Sequence, residues 1–164
     1  PLLAHNGETV FESGAICRYL ANAEESSLYP TETMARAKVD QWLDYFSCHA
    51  GRSLTTIYFQ KIIRPLAGLG DPDQAAIEEA EGFAHQSMKA LERTFQHSKW
   101  LANNKLSIAD LAALAYMEQE KIIGFSLEDY PRVRDWYARL QDLDSSARAR
   151  AHVAPYLAEI MGSG

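Results

Sequence analysis

The chain has 164 residues, 47% of them hydrophobic, and a formal net charge of -6 at neutral pH, which suits one ordinary core and a small second unit. The acidic balance argues against nucleic acid as a partner, and no apolar run in the sequence is long enough to span a bilayer. Two cysteines, Cys17 and Cys48, are too few for a disulfide scaffold and favour a reducing, cytoplasmic setting.

Two antiparallel strands and a helix are predicted at the start of the chain. Asn6 and Gly7 lie between two apolar runs, and both tolerate the positive φ that a tight hairpin turn requires. In the helix that follows, Ile16, Tyr19, Leu20 and Ala23 recur at i, i+3, i+4 and i+7 and form an apolar stripe. Two strands and one helix cannot bury such a stripe alone. We therefore expect more of the sheet upstream, and a mobile opening segment when that sheet is missing.

Only helices are predicted after the turn-forming residues 26–30. A long helix should stop before Pro65, a second should run from about Asp73 to Gln96, and three shorter helices follow. The predicted stripes are Val39, Trp42, Leu43, Phe46, Ala50, Leu54 and Ile57; Ile77, Ala80, Ala84, Met88, Leu91 and Phe95; Ile108, Leu111, Ala112 and Ala115; Val133, Trp136, Tyr137 and Leu140; and Val153, Tyr156, Leu157 and Ile160. We predict two units, residues 1–27 and the all-α residues 31–161.

The segment "LSIAD" predicts the start of a helix. Ser107 can accept from the backbone N–H of Asp110, whose carboxylate can reach back to the N–H of Ser107, which together form a capping box. Leu106 and Leu111 lie where a hydrophobic staple needs them. This geometry explains Asp110 without a catalytic role, so we interpret the pair as structural.

Glu12 and Ser13 lie between a predicted strand and a predicted helix, and two interpretations are open. In the first, Ser13 caps the helix and Glu12 is a favourable acid beside it. In the second, the free N–H groups and the dipole of the helix start bind a carboxylate, while Glu12 holds an ammonium group. The pair would then suit both charges of an α-amino acid end.

Three segments, "PLLAHNGETVFESGAICRYL", "LYPTETMARAKVDQWL" and "WLANNKLSIADLAAL", resemble the glutathione S-transferase family in order and spacing. The resemblance implies a mainly α protein: part of a thioredoxin-like α/β domain followed by an all-α helical domain. It implies a homodimer that conjugates reduced glutathione to a small hydrophobic electrophile by thiolate attack. Pro1 matches the family's cis-proline, whose turn exposes backbone to the cysteinyl group, and Glu12 and Ser13 match the residues that bind the γ-glutamyl end.

The same resemblance implies that Gly51, Leu54 and Tyr58 border the electrophile pocket, with Cys48 and Arg52 as weaker neighbours. The alternative is that Leu54 and Tyr58 are core or dimer contacts.

This chain differs from the family pattern in two places. Asn103 and Asn104 replace a common glycine before the capping serine, but asparagine tolerates left-handed backbone, so the turn should be preserved. The activating Tyr, Ser or Cys of the family lies upstream of Pro1. No catalytic residue is therefore assigned, and we expect the chain alone to be inactive.

Two other classes of function remain open. A protein of this fold can serve protein assembly without catalysis, or carry apolar ligands without turnover. The presence of Glu12 and Ser13 favours ligand binding, because an assembly module has no need of that pair. The five histidines have no metal-ligand spacing and the cysteines form no C-x-x-C motif, so we predict no metal.

Overall fold

A two-stranded hairpin opens the chain in the computed structural model. Strand β1 (Leu2–His5) pairs antiparallel with β2 (Glu8–Phe11). The turn residues have positive φ, 51° at Asn6 and 82° at Gly7, which confirms the predicted hairpin. Positive φ at both positions matches the right-handed twist of the strands.

Helices form the rest of the described chain, which comprises the backbone of residues 1–162 and the side chains of residues 1–155. The helices of this part are α1 (Ser13–Ala23), α2 (Thr33–Tyr45), α3 (Gly51–Tyr58), α4 (Arg64–Leu66), α5 (Gln74–Thr94), α6 (Ile108–Met117), α7 (Glu120–Ile123), α8 (Pro131–Gln141) and α9 (Asp144–Gly162). No helix of this part is long and apolar enough to cross a membrane.

The long helix predicted after residue 31 is continuous, but its hydrogen-bond register changes twice. A π-helical segment, Phe46–Ala50, joins α2 to α3, and a second one, Phe59–Ile63, joins α3 to α4. The prediction that the helix stops before Pro65 is wrong, because Pro65 lies inside α4. The wider π turn before it reduces the conflict between the proline ring and the preceding carbonyl groups.

The predicted stripes supply most of the core. Every stripe residue of α5 and α8 is buried, and so are those of the long helix except the half-buried Trp42. Of the predicted α6 stripe, only Ile108 is buried, Leu111 and Ala112 are half-buried, and the prediction is wrong at Ala115, which is exposed. The α9 prediction is wrong at Val153, which is 45% exposed. The predicted stripe residues Tyr156, Leu157 and Ile160 lie outside the described side chains.

Helix α1 packs on the bundle with a different face from the predicted one. It lies against α6, and Ala21 and Cys17 are its side chains that join the core. Of the predicted stripe, Ile16 and Tyr19 are half-buried, and the prediction is wrong at Leu20, which is 45% exposed, and at Ala23, which is exposed. The mobility expected of this segment stays a prediction.

An ion-paired network also connects α1 to α2. Arg18 Nε donates to Asp40 at 2.6 Å and Arg18 Nη2 donates to Asp44 at 2.8 Å. The Tyr29 hydroxyl donates to the same Asp40 carboxylate at 3.0 Å. These bonds orient the hairpin and α1 on the bundle.

The division into residues 1–27 and 31–161 stays a prediction.

Asp110 stabilises the start of α6. The predicted capping box with Ser107 is present, with Asp110 Oδ2 accepting from the Ser107 N–H at 3.0 Å. Its other oxygen accepts from the Leu101 N–H at 3.0 Å and from Trp136 Nε1 at 2.9 Å. Burial raises the pKa of Asp110, and these hydrogen bonds oppose that rise. Asp110 thus connects α6, α8 and the preceding loop.

The loop before the capping serine has the conformation expected from its asparagines. Asn103 and Asn104 have φ values of 54° and 50°. The Asn103 side chain donates to the carbonyl oxygen of Ala35 at 2.8 Å, which ties the loop to α2. The turn predicted to be preserved without glycine is confirmed.

Candidate functional site

The turn from β2 into α1 is made by a single strained residue, Glu12. Its φ of 70° and ψ of 121° lie outside the regions that non-glycine residues favour. Its carbonyl oxygen accepts the first helical hydrogen bond, from the N–H of Ile16 at 3.0 Å. Strain of this kind costs about 1–3 kcal/mol and concentrates at functional sites. The backbone therefore marks Glu12 as a candidate site residue independently of the resemblance.

Ser13 is the first residue of α1, and the interpretation of Ser13 as its cap is wrong. Glu12 occupies the cap position, and no side chain caps the helix. The chain turns from strand to helix within one residue, so Ser13 already has helical backbone. Within the described part of the chain, the first-turn N–H groups have no partner. Their partial positive charge makes this helix start attractive to an anion.

Tyr116, near the end of α6, lies close enough to interact electrostatically with the start of α1. Burial raises the pKa of Tyr116 above its ordinary value, and the negative charges of Glu12 and Cys48 raise it further. Helix α1 packs against α6, so Glu12 at the α1 start and Tyr116 on α6 come from neighbouring helices, although 104 positions separate them in the sequence. The α1 start and the helical bundle therefore share one neighbourhood at Tyr116.

A cleft of about 420 Å³ adjoins Tyr116 on the bundle side. Its lining combines one cation, three hydroxyl side chains and two aromatic rings: Ser47, Arg52, Thr55, Thr56, Phe59 and Tyr116. Phe59 is 38% exposed, so its ring is available to a ligand. A volume of this order and a mixed apolar and polar lining suit a small molecule.

The residues predicted to border the electrophile pocket lie on the helix that forms this cleft. None of Gly51, Leu54 and Tyr58 is among the lining residues of the cleft. Leu54 is completely buried, which favours the core alternative for this residue. Tyr58 is half-buried and packs against the core, and its contact with a ligand stays a prediction.

Gly51 lets the Tyr116 ring approach the long helix. A Cβ atom at this position would lie 2.5 Å from Tyr116 Cδ1 and 2.5 Å from the carbonyl oxygen of Phe46. Both separations are far shorter than a van der Waals contact, so no larger residue fits without movement. The Tyr116 ring also stacks on Phe46, with ring centroids 6.3 Å apart. Gly51 therefore acts on the cleft by positioning Tyr116.

A larger groove, of about 670 Å³, lies between the long helix and α5. Tyr45, Cys48 and Arg52 line one side and Phe83 lines the other. Phe83 is 54% exposed, which is unusual for a phenylalanine in the middle of a helix. Arg52 lines both depressions, so the groove and the cleft are neighbours.

Two further predictions concern Pro1 and metal binding. Pro1 is exposed. The family resemblance implies a cis peptide bond before this proline. That bond precedes the first residue of the chain, so its isomer stays a prediction. Among the described residues, no group of three or more His, Cys, Asp or Glu side chains is arranged to hold a metal ion.

Of the residues that line the cleft, the sequence analysis named only Arg52, as a weaker neighbour of the pocket, and missed the others. Arg52, Thr55, Thr56 and Phe59 recur at i, i+3, i+4 and i+7, which places them on one face of the long helix beside its core stripe. That spacing was a usable signal for a second functional face. Tyr116 has only a weak signal, an aromatic residue after a run of small ones, and its role depends on contacts with distant residues.

Two family models match this chain. The model described as the glutathione S-transferase C-terminal domain matches residues 48–144, and the one described as the N-terminal domain matches residues 1–22. The first match alone covers more than half of the sequence. The chain belongs to the glutathione S-transferase family. The fold agrees, with a small thioredoxin-like portion followed by the helical domain.

Individual glutathione S-transferases align with most of the chain. Glutathione S-transferase hmp2 of Hypomyces subiculosus is 29% identical over 162 residues, which cover 92% of this chain and 74% of that protein. Glutathione S-transferase D7 of Anopheles gambiae is 31% identical over 144 residues, which cover 87% and 62%. A structure of maize glutathione S-transferase I in complex with an atrazine glutathione conjugate is 28% identical, with a TM-score of 0.86 over 94% of this chain and 74% of that one. The chain thus spans about two thirds to three quarters of these relatives.

Proposed function

We propose that the protein is a glutathione transferase that conjugates reduced glutathione to hydrophobic electrophiles by thiolate attack. The observation that carries the proposal is the packing of α1, whose start is uncapped, against α6, whose Tyr116 lines the cleft. The α1 start suits the charged end of glutathione, and the cleft suits the apolar group of an electrophile. Conjugation requires these two binding regions to be adjacent.

The α1 start would hold the γ-glutamyl end of glutathione. Its unpartnered N–H groups and the Ser13 hydroxyl can donate to the α-carboxylate, and the Glu12 carboxylate can accept from the ammonium group. Pro1 would expose backbone to the cysteinyl part. The strain at Glu12 supports this assignment, because a costly backbone conformation of this kind concentrates at ligand sites.

The cleft around Phe59 and Tyr116 would hold the electrophile. A thiol with an ordinary pKa near 8.5 is mostly protonated at neutral pH, so the reaction needs a donor or positive potential that stabilises the thiolate. We assign that role to none of the described residues. The maize relative, which holds an atrazine glutathione conjugate, supports an electrophile site of this kind.

Cytoplasmic location and homodimer formation belong to the same proposal.

Changes at the helix start test the proposal. In the whole protein, Glu12→Gln and Ser13→Ala should each weaken glutathione binding by roughly 1–3 kcal/mol, because each removes a charge-assisted or hydrogen-bonding partner. Isothermal titration calorimetry with glutathione measures the effect. Turnover at saturating glutathione should fall less than affinity, since these groups hold the remote end of the ligand.

The matched control is Glu8→Gln, which makes the same chemical change on the exposed strand β2. If both variants bind glutathione with the wild-type affinity, Glu12 and Ser13 only form the start of the helix and do not bind the ligand. A whole protein that binds no glutathione but forms a stable complex with another protein would instead favour the assembly function.

A further inference from the structure

The Tyr116 side chain combines a fixed ring with a hydroxyl group that has no partner. The ring is packed between Gly51 and Phe46, where no space remains for an added Cβ atom. Within the described part of the chain, the Tyr116 hydroxyl makes no hydrogen bond, although the residue is half-buried and lines the cleft. By comparison, the buried Tyr130 bonds to His85 at 2.8 Å, and the buried Tyr29 bonds to Asp40 at 3.0 Å.

The Tyr116 phenol is a hydrogen-bond donor at neutral pH, as an ordinary tyrosine is. Burial and the neighbouring charges of Glu12 and Cys48 raise the pKa of Tyr116 further, so they do not oppose this form. A half-buried O–H donor is costly to leave unpaired when a ligand displaces water from it. Ligands that supply an acceptor at this point are therefore favoured over ligands that do not.

The other polar groups of the cleft extend the same preference. Arg52 lines the cleft and, within the described residues, makes no ion pair. Thr55 and Thr56 also line the cleft with hydroxyl side chains, whereas the Ser47 hydroxyl already donates to the carbonyl oxygen of Asp44 at 3.2 Å. Phe59 and the Tyr116 ring supply the apolar surface that an aromatic group needs.

We propose that the Tyr116 hydroxyl donates a hydrogen bond to an oxygen acceptor on the electrophile, such as a nitro or carbonyl group, and makes Tyr116 a specificity-determining residue of the cleft. Gly51 is the positioning residue that lets the ring reach this place. This inference rests on the proposed function, since it names the class of electrophile for the same site. The preferred electrophile has an aromatic body and a terminal oxygen acceptor.

Two conjugates that differ in one acceptor group test the inference by binding alone. S-benzylglutathione and S-(4-nitrobenzyl)glutathione share the tripeptide and the ring, and only the second one carries nitro oxygens. Calorimetry on the whole wild-type protein should show tighter binding of the nitro conjugate than of S-benzylglutathione. In Tyr116→Phe the ratio of these two affinities should fall about five- to tenfold, the effect of losing one neutral hydrogen bond. Affinity for S-benzylglutathione should stay within about twofold, because the ring is retained.

The matched control is Tyr130→Phe, which removes a phenol hydroxyl that bonds to His85 and does not line the cleft, and which should leave both affinities unchanged. An equal loss for the two conjugates in Tyr116→Phe would mean a structural role only and would overturn the inference. An unchanged preference for the nitro conjugate would also overturn it, while the proposed function would stand. Failure of the wild-type protein to bind either conjugate would overturn the proposed function, and the inference with it.

Discussion

At the scale of single residues, the two cysteines occupy contrasting environments. Cys17 is half-buried on α1, where it packs against the core, and burial raises its thiol pKa against a smaller opposite effect of the Arg18 charge. Cys48 is exposed in the first π-helical segment. Reactivity of a thiol requires both access and the thiolate form, and Cys17 is disadvantaged in both respects.

Alkylation should therefore distinguish the two thiols. At pH 7.5, and at a protein concentration low enough to dissociate the proposed dimer, iodoacetamide should modify Cys48 first. The rate at Cys17, measured in a Cys48→Ser variant by mass spectrometry, should be at least about tenfold lower. That rate should continue to rise with pH beyond the ordinary thiol value, because a raised pKa delays thiolate formation. The two thiols should react alike in denaturant, and equal rates in the folded protein would contradict the assigned environments.

At the scale of elements, α6 depends on Asp110 far more than a capping box alone would require. The carboxylate is completely buried and accepts from the N–H groups of Ser107 and Leu101 and from the indole of Trp136. The sequence predicted only the first of these partners. The Ser107 hydroxyl donates to the same carboxylate at 2.9 Å. One side chain thus couples the start of α6 to the preceding loop and to α8, and its loss leaves four donors without this acceptor.

The two members of the capping box should consequently differ in their effect on stability. Ser107→Ala should lower the free energy of unfolding by about 1 kcal/mol, a usual cost of losing a cap. Asp110→Ala should lower it by about 3–5 kcal/mol, because several buried donors lose their partner. Urea titrations followed by circular dichroism provide the values, and Asp135→Ala on the exposed side of α8 is the control. Equal effects of the two changes would show that the bonds to Leu101 and Trp136 contribute little.

At the scale of the whole molecule, two surfaces connect the helical bundle to other structure. The first joins the hairpin and α1 to the bundle through the α1–α6 contact and the Arg18 ion pairs. The second is the groove between the long helix and α5, with Phe83 exposed in it. Exposed aromatic side chains in a groove are typical anchors of protein interfaces.

We predict that this groove contributes to the proposed homodimer. Phe83→Asp should raise the dimer dissociation constant at least about 30-fold, the effect expected for a central aromatic contact. Sedimentation velocity over a range of protein concentrations measures it. Leu66→Asp is the control, since Leu66 is 63% exposed but lies at the end of α4, outside the groove. A wild-type protein that is monomeric throughout, or a Phe83→Asp protein that dimerises normally, would exclude this interface.

Local features of the fold were predictable from the sequence because each depends on residues a few positions apart. The hairpin follows from the tolerance of Asn6 and Gly7 for positive φ. The start of α6 follows from the spacing of Ser107 and Asp110. The stripes of α5 and α8 follow from helical periodicity, which is the same wherever the helix packs.

Only the tertiary structure decided which faces meet and what the site contains. Packing of α1 through Cys17 and Ala21, and the approach of the Tyr116 ring to Gly51, are contacts between segments far apart in the chain. Helical periodicity predicts that a helix has an apolar face, but it does not predict which segment packs against that face. The electrostatic effect of Glu12 on Tyr116 likewise arises only when the opening hairpin and α1 dock on the bundle. The sequence alone thus determined the elements and the family, while the neighbourhood around Tyr116 exists only after these distant segments pack together.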